Sequence, residues 1–482
     1  MARCCASRAA RCARIAETLE SQFAEIVERQ PELLARHCTE AGLIEKAAGL
    51  WGKAGQRSLE RSALVEAAAQ LTRALAQIAA LPATPALRRE QIKLQVALIT
   101  PLMHVKGYAA PEAKAAAEQA RLLIEQAEAL GEPPEDPLLL FSVLYGVWTA
   151  NYVASNGDAM RELAGQFLAL ARKQGATAPL LIAHRIMGIS LACTGDIGEG
   201  RAHLDQAIAL YDPAEHRALE TRFGVDARVS ILSYRSWALW FLGYPEAALA
   251  DSDHAISDAR EIGQAATLMY ALGHTPFTYF QCGNYAKARA VIDELVALAD
   301  EKGALFWTVY GMMNQGWLSA LTGKAAHAVH MITSGLTAWR SMGAAVWMPL
   351  YLSCVTGAYA ALGQFDDAWR CIGEAMTAVE TTNERWCEAE VNRIAGEIAL
   401  KSPERDTAKA EVYFERALAV ARKQQAKSLE LRAAMSLARL WRDQGKRDEA
   451  RALLAPVYGW FTEGFDTLDL KEAKALLDEL HA

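Results

Sequence analysis

Two glycine-rich segments are the first places where this sequence could support chemistry. They are GLWGKAG at 49–55 and GDIGEG at 195–200. A phosphate-binding loop requires the spacing GxxxxGK followed by serine or threonine, because its backbone amides must surround the phosphates. Neither segment has this spacing, and the second is predicted to be a turn between helices. The sequence therefore predicts no nucleotide site in either place.

Two pairs of ionisable residues could also support chemistry. His327 and His330 lie three residues apart on a predicted helix, close enough to share a metal ion, but no nearby cysteine or carboxylate supplies further ligands. Glu388 and Glu390 lie two apart and do not face each other on a helix. No serine or cysteine lies in a nucleophile setting such as GxSxG. We therefore expect ordinary helical histidines and structural acids, with no catalytic residue, metal or cofactor.

The elements that carry these residues form an internal repeat. Aligning LACTGDIGEGRAHLDQAI, FLGYPEAALADSDHAI, FQCGNYAKARAVIDEL, LTGKAAHAVHMITSGL and ALGQFDDAWRCIGEAM brings one glycine of each segment into a single column. A sixth unit has Pro403 in this column, and a seventh restores the glycine. The column contains Gly195, Gly243, Gly283, Gly323, Gly363 and Gly445, and its second to fifth members are 40 residues apart.

Two columns of mostly small residues follow each turn glycine. The first, five residues later, contains Gly200, Ala248, Ala288, Ala328, Ala368 and Ala450. The second, seven residues further on, contains Ala207, Ala255, Leu295, Gly335 and Ala375. Residues two helical turns apart share one face, where small side chains allow a neighbouring helix to approach to about 8–10 Å. Each unit is therefore predicted to be a helical hairpin.

This pattern resembles the tetratricopeptide repeat, lengthened to about 40 residues. We find no segment with the alternation and β-branched enrichment of a strand. The predicted fold class is all-α, a right-handed superhelical solenoid of tetratricopeptide-like hairpins. Within it we predict a disordered leader at 1–14, helical hairpins at 15–130, a proline-rich linker at 131–137, and a repeat solenoid at 138–482 that ends in a capping helix.

Composition limits the partners and the compartment. The net charge is −7, and no long block of lysine and arginine could neutralise a run of phosphates, so nucleic acid is not an expected partner. The nine cysteines are scattered without the spacing of a disulfide framework, which is typical of a reducing cytoplasm. No apolar run approaches the roughly 18 residues needed to span a membrane.

Aromatic residues recur on the predicted first helices. If the tetratricopeptide register holds, positions that face the concave groove lie thirteen and six residues before each turn glycine. These positions contain Trp237, Tyr270, Phe277, Tyr310 and Trp317. Such a strip could bind a peptide helix, an extended segment or a flat small molecule. The alternative is that these side chains fill the core between helices.

Three segments resemble the C-terminal half of bacterial multidomain predicted ATPases. They cover 14–75, 382–400 and 428–480, and include RIAETLESQF, TNERWCEAEV and RLWRDQGKRDEARALL. The resemblance spans roughly residues 15–482. Many such proteins begin with a class III adenylate or guanylate cyclase domain and continue with a signal-transducing ATPase module. The metal-binding aspartates and phosphate loop of those modules are absent from this sequence, so neither activity is carried over.

The resemblance implies a regulatory part of a signalling ATPase or cyclase system. We expect a non-catalytic, cytoplasmic interaction module whose groove binds a protein segment, with a cyclase or ATPase module as the candidate partner. A small-molecule sensor is the alternative, and an enzyme in its own right is the least favoured. Membrane association is not expected.

Overall fold

The computed structural model describes residues 2–132 and 136–481, with side chains from residue 8 onward. These residues are mainly helical and include no strand. The helices are α1 Ala2–Gln22, α2 Ala24–Arg29, α3 Pro31–Glu40, α4 Ile44–Glu60, α5 Leu64–Ile78, α6 Pro85–Lys106, α7 Pro111–Ala129, α8 Leu138–Val153, α9 Gly157–Gln174, α10 Thr177–Cys193, α11 Ile197–Leu210, α12 Pro213–His216, α13 Glu220–Phe223, α14 Ala227–Phe241, α15 Pro245–Ile262, α16 Ala265–Gln281, α17 Tyr285–Lys302, α18 Leu305–Leu321, α19 Ala325–Ser341, α20 Met348–Ala361, α21 Phe365–Thr382, α22 Glu388–Lys401, α23 Thr407–Lys423, α24 Lys427–Asp443, α25 Arg447–Tyr458 and α26 Leu468–His481, with a short 3-10 helix at Arg217–Leu219.

The chain divides into two compact units. The N-terminal unit comprises Met1–Ala150 with Thr221–Gly224 and Lys302–Leu305, and the C-terminal unit comprises Asn151–Glu220, Val225–Glu301 and Phe306–Ala482. The change of unit near residue 150 falls after the linker predicted at 131–137. Residues 133–135 of that linker lie outside the described residues.

The N-terminal unit packs its helices around alanine-rich cores. In one core Trp51, Leu71 and Leu94 pack with Ala16 of α1. Helix α1 begins within the segment at 1–14, for which a disordered leader is predicted, and its buried residue Ala16 lies after that segment.

The C-terminal unit consists of successive antiparallel hairpins. Each turn glycine named above has a positive φ, which a residue without Cβ adopts at little cost. The small residues of the two columns are buried, as at Ala248, Ala288 and Ala328. The prediction of an all-α solenoid of helical hairpins is therefore confirmed. Helix α26 lies where the capping helix is predicted.

Helices α10 and α11 cross so closely that a substitution there tests whether a small residue is required at the crossing. A Cβ added at Gly200 would lie 2.7 Å from the carbonyl oxygen of Gly188, which is backbone and cannot rotate away. We therefore expect Gly200→Ala to destabilise the unit by about 1–3 kcal/mol. Gly373 of α21 has no atom within 4 Å of its added Cβ, so Gly373→Ala should stabilise the unit by about 0.5 kcal/mol. Urea midpoints measured by circular dichroism check this, and equal midpoints for the two variants would contradict it.

No helix among the described residues is long and apolar enough to cross a membrane.

Candidate functional site

The five aromatic residues predicted to line a groove come together in the C-terminal unit. Trp237 and Phe277 have ring centroids 4.7 Å apart, and Phe277 lies 6.0 Å from Trp317. Tyr270 stacks on His274 at 4.1 Å. All except Tyr270, which is partly exposed, are buried. The structure thus favours the packing alternative over an open strip.

Two tryptophans from loops between repeats complete this aromatic cluster. Trp347 stacks on Tyr310 with centroids 4.4 Å apart, and Trp386 lies 5.7 Å from Trp237. Trp347 has a left-handed backbone with φ of 63°, a conformation that a bulky residue rarely adopts. Sequence reasoning missed both residues, although AAVWMP and NERWCE contain them about one 40-residue period apart. The inner face of these repeats is therefore filled by the protein itself.

A buried carboxylate holds the two loops together. Glu384 accepts hydrogen bonds from Ser155 Oγ at 2.6 Å, Trp347 N at 3.0 Å and Trp386 Nε1 at 2.8 Å. Burial raises the pKa of Glu384 to about 7, and these three donors offset only part of that effect. Such a group gains or loses a proton near neutral pH.

A buried histidine at the centre of the aromatic cluster is uncharged. Burial lowers the pKa of His274 to about 4, so its imidazole is uncharged at pH 7. Its Nε2 bonds to Tyr234 OH at 3.1 Å, and its carbonyl accepts from Trp237 Nε1 at 2.9 Å. These contacts fix the ring orientations of the cluster, and they describe structure rather than a reactive centre.

Loops between repeats lie on turns of much earlier hairpins. The amides of Ala345 and Val346 donate to the carbonyl of Val153, and those of Arg385 and Trp386 donate to that of Cys193. Ser428 Oγ donates to the carbonyl of Trp240, 188 residues earlier. At Gly283 the contact is one of packing, since the Cβ of Leu468 lies 3.4 Å from the position that an added Cβ would occupy. We call the turns α8/α9, α10/α11, α14/α15 and α16/α17 the covered turns.

An open pocket remains beside these contacts, with a volume of about 540 Å³. We call it the C-terminal pocket. Its lining comes from the ends of α16 and α18, from α20, and from α22, α24 and α26. The lining includes Phe280, Gln281, Trp317, Leu321, Ser353, Gly357, Ala361, Glu390, Arg393, Glu397, Arg432, Ser436, Arg439, Asp469 and Glu472. Of the five predicted groove residues, Trp317 alone is among those that line it.

Paired charges order one side of the pocket. Arg393 makes a bidentate ion pair with Glu390 at 2.6 and 2.8 Å. Burial alone would raise the pKa of Glu390, but Arg393 and Arg432 outweigh it and lower that pKa to about 2. Arg432 donates to Asp469 at 2.8 Å and to Gln281 at 2.7 Å. This wall is rigid and polar, with acids and bases close to balance.

The other sequence candidates lie in ordinary helical surroundings. Gly52 and Lys53 lie inside α4, so 49–55 is not a loop. Ser319 Oγ and His327 Nδ1 are hydrogen-bonded at 3.0 Å, and His330 is exposed. Glu388 pairs with Arg385. No group of three or more potential metal ligands occurs in the part of the chain that the structure describes.

Residues 431–458 match the family model of the tetratricopeptide repeat. This match covers most of α24 and all of α25, so it agrees with the hairpin seen there.

Comparison with known proteins supports the same fold. An uncharacterized protein of Rhizobium meliloti is 25% identical over 411 residues, which cover 84% of this chain and 39% of that protein. The chain therefore spans about two fifths of its relative's length. The structure of a Rap protein complexed with competence and sporulation factor aligns with a TM-score of 0.52 and 11% identity, covering 81% of this chain and 99% of that one.

A second solved structure is a signal transduction ATPase with a tetratricopeptide repeat sensor from Pyrococcus horikoshii. It aligns with a TM-score of 0.37 and 12% identity, covering 77% of this chain and 54% of that one. At such identities the Rap structure supports a helical-repeat fold and nothing further.

Proposed function

We propose that this chain is a non-catalytic interaction and regulatory module that binds a protein segment in the C-terminal pocket. Its partner is then a signalling ATPase or class III adenylate cyclase of the kind that the sequence resembles. The observation that carries the proposal is the pocket, because it stays open where the aromatic cluster fills the neighbouring repeats.

The lining of the pocket suits a polypeptide. Phe280, Trp317 and Leu321 form the apolar part of the lining, and the paired charges of α22, α24 and α26 offer hydrogen bonds. Acidic and basic residues are balanced in number, which disfavours a polyanion such as nucleic acid. A peptide matches this lining because it carries backbone amides together with apolar and polar side chains.

A glycine inside the pocket allows a clean test. Gly357 of α20 lines the pocket, and nothing lies within 4 Å of a Cβ added there. We expect Gly357→Phe to fill the pocket, leave the fold intact, and lower partner affinity by about tenfold or more. Affinity for a purified cyclase or ATPase module of the resembled family, measured by calorimetry, gives the readout.

Gly373→Phe is the matched control, because Gly373 is also an exposed helical glycine with open space around it and does not line the pocket. It should keep wild-type affinity. Equal binding by the wild type and both variants would sink the proposal, as would no binding of either module to the wild type.

The volume of the pocket also favours a second candidate, a small-molecule sensor. Ligand sites typically occupy about 300–1,000 Å³, and 540 Å³ lies in that range. A metabolite that raises the melting temperature of the wild type and of Gly373→Phe, but not of Gly357→Phe, would select this function over the first.

A further inference from the structure

The turn between α18 and α19 lies at the edge of the C-terminal pocket and is more exposed than the covered turns. In each covered turn, the residue two positions before the left-handed turn residue is at most 9% exposed; these residues are Val153, Cys193, Phe241 and Gln281. The equivalent residue of the α18/α19 turn is Leu321, which is 39% exposed. A Cβ added at Gly323 meets no described atom within 4 Å.

The backbone of this turn is nevertheless the same as that of a covered turn. Gly195 N donates to Ala192 O and Asp196 N donates to Leu191 O, at 3.2 and 2.9 Å. The corresponding bonds at Gly323 and Lys324 are 3.3 and 2.8 Å. The carbonyl of Leu321 therefore occupies the place of the Cys193 carbonyl, which accepts two amides from a later loop.

The segments that cover the first two turns share a backbone pattern. Each begins with a left-handed residue, Gly343 or Asn383, with φ of 72° and 57°. The second and third residues after it donate their amides to one carbonyl. The third and fourth residues are buried and apolar, and they are Val346 with Trp347 and Trp386 with Cys387.

We propose that the α18/α19 turn binds an extended segment of a separate protein in the manner of these loops. The segment would donate two consecutive backbone amides to the carbonyl of Leu321. It would then bury two apolar residues, one of them large, against the apolar side of the C-terminal pocket. This inference rests on the proposed function. It specifies a five-residue segment in which the first residue has a left-handed backbone, the next two are unrestricted, and the last two are apolar.

The chemistry of the turn favours such a segment over other ligands. A carbonyl at a helix end lacks a partner within its helix and can accept from a donor outside it. At the α8/α9 and α10/α11 turns, two consecutive amides supply that donor. Leu321 and Trp317 add an apolar surface beside it. The site therefore repeats, at a further turn, the contact that the chain makes with itself at the α8/α9 and α10/α11 turns.

A peptide taken from the chain itself provides the probe. Fluorescein-labelled peptide with the sequence of residues 342–349, MGAAVWMP, is titrated into the full chain and followed by fluorescence anisotropy. We expect binding that falls by about tenfold when the two donating amides are N-methylated. Replacing the peptide tryptophan by alanine should weaken binding by about 30-fold.

Leu321→Arg in the protein should weaken the same binding by about tenfold or more. Val412→Arg is the matched control, since Val412 is 47% exposed on α23 and is absent from the pocket lining. It should bind as the wild type does. Circular dichroism establishes that both variants are folded.

Three results would overturn the inference. They are no binding up to about 1 mM peptide, equal binding of all peptides, and a wild-type dimer in light scattering that Leu321→Arg converts to a monomer, which would assign the turn to a second copy. The inference can fail while the proposed function stands. If Gly357→Phe abolishes partner binding while Leu321→Arg and the peptides have no effect, the pocket is the site and this mode of binding is wrong.

Discussion

Replacing Glu384 with glutamine should flatten the pH dependence of the stability of the C-terminal unit between pH 5 and 8. The folded protein holds the Glu384 proton with a pKa of about 7, against 4.5 for an exposed carboxyl. Its contribution to stability is therefore complete below about pH 4.5 and is lost as the pH rises through 7. The loss is on the order of 3 kcal/mol. Glutamine has no such proton, so this part of the slope disappears.

Urea unfolding followed by tryptophan fluorescence at pH 5, 6, 7 and 8 measures the effect. Exposed Glu380 on the same stretch of chain gives the control, because Glu380→Gln should keep the wild-type slope. The neighbouring thiols of Cys193 and Cys387 do not interfere, since burial raises the pKa of both well above this range. An unchanged slope in Glu384→Gln would show that the carboxylate is solvated or paired in solution.

The fold could be predicted because its signals are local. A glycine at the turn and a small residue five positions later both act within one hairpin, and their recurrence identifies the solenoid. The last helix, α26, could also be predicted, since its apolar residues are spaced on one face. The arginine-rich start suggests disorder, whereas Ala16, further along α1, is buried in a core that the later helices complete.

The site could be predicted only in part because its contacts are not local. The register placed Trp237, Phe277 and Trp317 together on an inner face, as the structure shows. Nothing near them in sequence indicates that Trp347 and Trp386 fill that face from loops many repeats later. Arg393 and Arg432 look like ordinary surface charges of a helix, and they become a pocket wall only when α22, α24 and α26 pack side by side.

The contact between later loops and earlier turns links these observations. It explains why aromatic side chains fill the inner face, why Glu384 is buried with neutral donors as its partners among the described residues, and why an open pocket appears beyond the fourth covered turn. A superhelix that closes on itself in this way uses its first turns for stability. Turns that no later loop covers are the ones left for a partner.

Of the substitutions proposed for the C-terminal unit, truncation of Trp347 should therefore lower its stability the most. The side chain is 2% exposed, stacks on Tyr310, and anchors the loop whose amides reach Val153. We expect Trp347→Ala to destabilise the C-terminal unit by about 4 kcal/mol, because a large cavity forms at the centre of the aromatic cluster. Amide hydrogen exchange at Ala345 and Val346 should accelerate with it, since their hydrogen bonds depend on the anchored loop.

Two further substitutions separate packing from backbone strain. Trp347→Gly should be about 1 kcal/mol more stable than Trp347→Ala, because glycine adopts the φ of 63° without a clash. Trp347→Phe should lose less than either, because it keeps an aromatic ring and removes an indole N–H that is buried without a partner among the described residues. If alanine and glycine were equally stable, the left-handed backbone would not persist in solution. If Trp347→Ala matched the wild type, the loop would not be anchored by its tryptophan, and the closed superhelix would lose its central support.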